Sequence, residues 1–415
     1  MSHPINPTVP GQRIQIIDTL RGFAIFGILM VNMLWMSAPV GISLTEYALW
    51  DSPLDKTVEF LISFLFEGKF YVLFSMLFGY GFWLFLQKTN DGTSPAKVYA
   101  WRLVLLILFG VAHIVLLWPG DILLCYGLLG LLLLLFRNKS NRSLFKWALA
   151  LLIIPLVLLG AMALLFHLGM SNPDSAEVIE SAMKDQQAVF VALIENALRI
   201  YPTGSFSEIV NIRLEEYTTL LMGAFIMFYP NVLAMFLVGF YAGRKQLLNE
   251  VTAHLPIFRK MAIWGLSTGL LAGLAYAFLK METDLGTPTL ESVLAMTLNA
   301  FGGPVLSLGF VSTIILLIHN GLLKHCAVWL AAVGRMALSN YLMHSIIAAL
   351  LFHSYGFALY GKVSIWQGSL LCLAIFAIQI PLSIAWLKFF RFGPFEWLWR
   401  SLTYLKWQPF LNTKA

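Results

Sequence analysis

The apolar stretch from Arg13 to Trp35, RIQIIDTLRGFAIFGILMVNMLW, carries Asp18, Arg21 and Asn32. Charge inside a membrane span is costly, so such residues face the protein interior and mark a functional path. Helical geometry places Asp18 and Arg21, three apart, on one face; Asn32, eleven beyond Arg21, returns to it. A polar stripe of roughly 16 Å is expected along an otherwise apolar helix. Gly22 and Gly27 offer close approach to a neighbouring helix or a ligand.

A second group has the residue types of general-base chemistry. Arg102 and His113 are also eleven apart and share a helical face. The turn Trp118-Pro119-Gly120-Asp121 follows, and it can return Asp121 to the neighbourhood of His113. An imidazole oriented by a carboxylate abstracts protons from hydroxyls or amines. The alternative is a polar contact between helices, with Asp121 as a helix cap.

Three further clusters carry polar groups within apolar runs. Gly334-Arg335 opens a segment with Ser339, Asn340, Tyr341 and His344. Asn340 and Tyr341 sit four and three residues before His344 and make one expected polar face with it, for a site or for bonding between helices. Glu67 and Lys69 flank Gly68 at an expected helix break, which either lines a cavity or forms an interfacial turn. Arg213, Glu215 and Glu216 read as a solvated helix start. Gly79-Tyr80-Gly81 is too little for a phosphate loop, and the chain has no dinucleotide fingerprint and no G-x-S-x-G elbow.

These residues need a scaffold, and composition defines it. The 415 residues are 59% hydrophobic and 12% charged, with mean hydropathy +0.79. Soluble domains carry about a quarter charged residues. The chain is therefore expected to be an all-α, polytopic transmembrane helical bundle, with residues 1–415 as one transmembrane domain. About ten spans are expected, near 14–36, 57–87, 102–118, 121–136, 145–168, 217–243, 257–279, 290–319, 335–354 and 364–387. In the second, residues 57–66 read as a short re-entrant or interfacial helix before the true crossing at 69–87. Pro230 is expected to kink the sixth.

The net charge of +6 comes from short basic loops beside apolar segments, so it signals membrane topology and no nucleic-acid partner. Lys88, Lys97 and Arg102, then Arg137, Lys139, Arg142 and Lys146, then Arg244, Lys245, Arg259 and Lys260, then the C-terminal tail up to Lys414, all fall on one side of ten spans. Both termini of this multi-pass chain are thus expected in the cytoplasm. The extracytoplasmic piece, 169–216, reads as one or two amphipathic helices lying on the membrane or capping a cavity. Cys125, Cys326 and Cys372 show no zinc spacing, and neither a metal nor a disulfide framework is expected. No cleavable leader is expected, because Met1 to Gln12 is polar.

The blocks DTLRGFAIFGILMVN, KFYVLFSMLFGYG, LLWPGDILLCYGLLG, GRMALSNYLMHS and FGPFEWLWRSLTY, in that order, resemble the YeiB family of bacterial membrane proteins, with its C-terminal domain of unknown function. That family is distantly similar to transmembrane acyltransferases such as heparan-α-glucosaminide N-acetyltransferase. The resemblance implies transfer of an acyl group from cytoplasmic acyl-CoA to an acceptor across the membrane: a glycan, lipid or small metabolite. The Asp-x-x-Arg-Gly signature and following Asn of those enzymes match Asp18, Arg21, Gly22 and Asn32. Their catalytic histidine falls where this chain has Ser43, or, in the acyltransferase-3 families, where it has Asn32. His113, with Asp121, is then the substitute base, and Asn32 a donor to the oxyanion. Asp18, Arg21, Arg102, Arg335 and Arg400 would hold the coenzyme A end, since guanidinium suits phosphate. Glu67, Lys69, Asn340, Tyr341 and His344 would be further polar lining. A transporter or exporter of a small polar or amphipathic solute is the alternative, and a non-catalytic receptor or lipid-binding scaffold a third reading. A homodimer stays open.

Overall fold

The computed structural model describes residues 14–45, 47–87 and 94–412; Arg13, Glu46, Lys88 and Lys414 lie outside them. The chain is all helix among these residues, apart from an isolated bridge between Phe390 and Leu411. The helices are α1 (Gln15–Met36), α2 (Pro53–Leu65), α3 (Phe70–Leu86), α4 (Pro95–Leu116), α5 (Leu123–Leu133), α6 (Asn141–Met170), α7 (Pro173–Thr203) and α8 (Phe206–Gly223). After them come α9 (Tyr229–Arg244), α10 (Leu255–Glu282), α11 (Leu290–His319), α12 (Lys324–Arg335), α13 (Ala337–Phe352), α14 (Ile365–Phe389) and α15 (Pro394–Thr403).

Eight of these elements are long and apolar enough to cross a membrane, and nine if α12 and α13 count as one span. About ten were expected; the fourth expected span, 121–136, is a shorter apolar helix, Leu123–Phe136. The protein is a multi-pass membrane protein. α2 and α3 follow one another as a 34-residue stretch, Pro53–Leu86, long and apolar enough for a crossing. The pair that bends sharply is α12–α13, by 75° at Arg335–Ala337, where the sequence reads as the start of an uninterrupted span.

Burial sorts the helices. The apolar window of α1 is 67% buried and that of α6 only 17%, so α1 is the axis and α6 faces lipid. Residues such as Leu165, Ile263, Trp264 and Leu271 project outward, since lipid tails solvate them as well as protein does. Inside, backbones meet at glycine. A Cβ on Gly22 would sit 2.0 Å from the Leu330 carbonyl oxygen of α12, and one on Gly334 would sit 1.8 Å from that of Asp18. Each helix of the α1–α12 pair thus seats its glycine against the other's backbone. Gly27 meets the Phe70 ring.

Pro230 acts on the preceding turn. A π-helical stretch, Ala224–Phe228, joins α8 to α9 immediately before it. Pro lacks the N–H that the regular helix needs, and a wider turn absorbs the mismatch. The segment 169–216 forms the end of α6, all of α7 and the first part of α8. The first half of α7 is largely exposed, whereas Leu193, Ile194, Ala197 and Tyr201 are buried.

The ends of the bundle differ. At one, which we call the basic end, the Arg244 guanidinium donates to the carbonyls of Arg137 and Lys139, and Trp399 Nε1 donates to the Arg102 carbonyl. At the other, Trp118 Nε1 donates to the Trp35 carbonyl and the Gly361 amide donates to that of Ser37.

Candidate functional site

A cavity of about 280 Å³ opens among α1, α3, α4, α5, α12, α13 and α15. Its α1 wall is Asp18, Arg21, Ile25 and Ile28, spaced three and four apart along one face. Its α4 wall is Tyr99, Arg102, Leu103 and Leu106. Arg335 and Arg400 complete a set of four arginines, set against the carboxyls of Asp18 and Glu396. Arg21, about a third exposed, pairs with Asp18 at 3.1 Å. The Arg102 guanidinium lies 3.8 Å from the centre of the Trp399 ring, a cation–π stack that holds it at the wall. Arg335 Nε is buried without a hydrogen-bond partner.

The amphipathic helix α15 closes this end. Glu396 accepts from the backbone N–H groups of Leu338 and Ser339 and from the Ser339 hydroxyl. Those N–H groups are the unpaired donors at the start of α13, where a carboxylate is favoured. Burial raises the Glu396 carboxyl above its ordinary value, against the pull of the Ser339 and Leu338 donors.

The inner end of the cavity stops at Ile28, Ile122, Leu123 and Tyr341. His113 lies beyond, seven residues and about 10 Å along α4 from Leu106. The Tyr341 ring stands 5.2 Å from the His113 ring. His113 Nδ1 meets Asp121 Oδ2 at 2.8 Å, an ion-pair distance without the alignment of a hydrogen bond, and both side chains are wholly buried. Asp121 Oδ1 accepts the Leu124 N–H at 2.6 Å. Asp121 thus uses one oxygen at the start of α5 and turns the other toward the imidazole. Nε2 of His113 is 2.8 Å from the Ser345 hydroxyl, which is itself fully buried.

The structure gathers Asp18, Arg21, Arg102, Arg335, Arg400 and Tyr341 around one cavity, and leaves the other expected residues outside it. Asn32 continues the α1 face one turn past Ile28 but is not a wall. Asn340 and His344 point toward α14. Asn340 Nδ2 donates to Ser383 Oγ, and His344 Nε2 lies 2.8 Å from Gln379 Oε1, so these two bond between helices. The expected single face of Asn340, Tyr341 and His344 splits because successive helical residues differ by about 100°.

Lys69 is buried in protein and Glu67 is half-buried. Gly68 takes φ +80°, which a residue with a side chain rarely adopts. Glu67 accepts from Lys280 at 2.7 Å and from the Tyr276 hydroxyl at 2.9 Å, while Lys69 Nζ donates to the Ser63 carbonyl. Neither residue lines the cavity. The solvated start expected at Arg213 and Glu216 is overturned, since both are buried in α8. The Tyr201 hydroxyl of α7 donates to Glu216, and the Tyr201 ring stacks on His353. Among the described residues no cluster of metal-ligating side chains occurs.

Glu396, Trp399 and Ser345 were not singled out from sequence. Each lies inside a block already noted above, Ser345 as the last residue of GRMALSNYLMHS. The available signal was that Ser345 is four residues after Tyr341, on the same helical face.

Fold and site thus define a polytopic helical membrane protein with an arginine-lined cavity that ends against a buried imidazole–carboxylate pair. The chain belongs to the YeiB family. It is similar to the uncharacterized protein YxaH of Bacillus subtilis, 34% identical over 98% of both chains. A 39.9 kDa protein from the amylase 3′ region of Bacillus acidopullulyticus is 28% identical over 99% of both. YeiB of Escherichia coli is 28% identical over 93% of this chain and 95% of its own. Residues 242–406 match the family described as a protein of unknown function, DUF418. No solved structure matches.

Proposed function

We propose that the protein is a membrane-bound acyltransferase that takes its acyl group from acyl-CoA. The observation that carries this is the cavity: four arginines surround it, and its inner end is the Tyr341 wall beside His113. Guanidinium groups suit the phosphates of coenzyme A. A volume of about 280 Å³ is at the lower edge of ligand pockets. It suits a narrow pantetheine-like arm, with the nucleotide held outside at the mouth. The apolar walls of Ile25, Ile28, Leu103 and Leu106 match an acyl chain.

In this reading the basic end is cytoplasmic, both termini lie there, and the membrane is the bacterial inner membrane. The acceptor, a glycan, lipid or small metabolite, meets the acyl group from the opposite side. His113, oriented by Asp121, removes the acceptor proton. Asn32, further along the same face of α1, is the amide donor offered to the oxyanion. Replacing His113 with Ala is expected to lower acyl transfer by about 10²- to 10⁴-fold while coenzyme A still binds. Undiminished turnover removes His113 as the base.

A transporter is the second reading, favoured by the 75° break at Arg335, where a discontinuous helix meets the cavity. Accumulation of unaltered solute in proteoliposomes would select it over group transfer.

A further inference from the structure

We infer that Ser345 is a nucleophile that carries the acyl group as a covalent ester between donor and acceptor. This deepens the acyltransferase reading and rests on it for the identity of the acyl donor. The geometry comes from two helices, α4 and α13, and the turn between α4 and α5. Ser345 Oγ on α13 lies 2.8 Å from His113 Nε2, and His113 Nδ1 lies 2.8 Å from Asp121 Oδ2. A carboxylate against Nδ1 favours the tautomer with the proton there. Nε2 is then the acceptor for the serine hydroxyl, the arrangement that activates serine on unrelated folds. A hydroxyl that only satisfied itself within a helix would bond the carbonyl four residues back, as Ser369 does to Ile365. Ser345 instead reaches across to another helix and to a histidine already facing a carboxylate.

Access runs past Tyr341. Its side chain is a wall of the cavity, and its ring is 5.2 Å from that of His113. Ser345 follows one helical turn later on the same face. Rotation of Tyr341 joins the inner end of the cavity to the Ser345 hydroxyl. The surroundings are closed to water, with Ser345 fully buried and His113 at 2% exposure. A serine ester kept there is protected from hydrolysis until the acceptor arrives.

The first half-reaction begins when Ser345 Oγ attacks the thioester carbonyl carbon and its proton passes to His113 Nε2. The C–S bond then breaks, and the departing sulfur takes that proton to leave as the free thiol. In the second half-reaction the acceptor hydroxyl or amine attacks the serine ester and gives its proton to His113. His113 returns the proton to Ser345 Oγ as the ester C–O bond breaks.

The test uses the full chain in nanodiscs, with radiolabelled acetyl-CoA and palmitoyl-CoA and, separately, a small alkyl fluorophosphonate. The expected result is a hydroxylamine-labile acyl group on the wild type, mapped to Ser345 by peptide mass spectrometry. Ser345→Ala is expected to lose this label and to slow transfer by at least about 10³-fold, with coenzyme A binding and thermal midpoint unchanged. Ser345→Cys preserves the shape of the site and is expected to trap the acyl group as a thioester. Fluorophosphonate modification of Ser345 that depends on His113, with neither thioester bound, supports the nucleophile and sinks the coenzyme A donor. Wild-type transfer by Ser345→Ala, or failure of all three probes to modify Ser345, overturns the proposal.

Discussion

Arg21 and Arg102 reach one cavity from two helices that are far apart in sequence, and their roles there differ. Arg21 is about a third exposed and paired with Asp18, so it is free to exchange partners with an incoming phosphate. Arg102 is held flat against Trp399 and offers its edge. A hydrogen bond to a charged group contributes about 1.5–3 kcal/mol. Arg21→Ala is therefore expected to weaken coenzyme A binding roughly tenfold to a hundredfold by titration calorimetry. Equal affinity in the variant would place the phosphates elsewhere. Much of this was readable from spacing, because Asp18 and Arg21, and Arg102 and His113, repeat at helical intervals. The partners were not. Trp399 lies almost three hundred residues from Arg102, and no local pattern announces a contact of that range. Ser345 was hidden for another reason: its neighbour His344 drew the eye, yet His344 faces α14 and Ser345 faces His113.

At the scale of elements, two devices hold the walls in place. α1 and α12 approach through Gly22 and Gly334, each against a backbone carbonyl. Gly334→Ala is expected to destabilise the protein by about 1–3 kcal/mol, the usual cost of overpacking, seen as a lower thermal midpoint in detergent. An unchanged midpoint would mean that the helices part easily. The second device is the half-buried pair of Glu67 and Lys280, which joins the α2–α3 break to α10. Lys280→Met leaves the Glu67 carboxyl without its cation and is expected to cost about 1–3 kcal/mol. The double variant with Glu67→Gln should regain much of that loss, which a purely steric effect would not allow. The break at Gly68 was legible from its flanking charges. The bend at Arg335 was not, because Gly334-Arg335 also reads as an ordinary helix start, and only the packing of α12 on α1 separates the two.

For the whole molecule, hydropathy was enough to give an all-helical membrane bundle; that α1 is its axis comes from burial. Hydropathy could not count crossings exactly, because α5 is short and α12–α13 is bent, and both depend on neighbours to sit within a membrane. The proposed orientation has a native reporter. Cys326 near the start of α12 is exposed, whereas Cys125 and Cys372 are buried. A membrane-impermeant maleimide is expected to label Cys326 in inverted vesicles and not in intact spheroplasts; the reverse pattern would invert the protein.

The most direct measurement is a density map of the purified protein with a non-cleavable acyl-CoA analogue. The account predicts phosphate density among Arg21, Arg102, Arg335 and Arg400, with the acyl end against Tyr341. Nucleotide density away from those arginines, or a cavity filled by lipid with the analogue in excess, would contradict it.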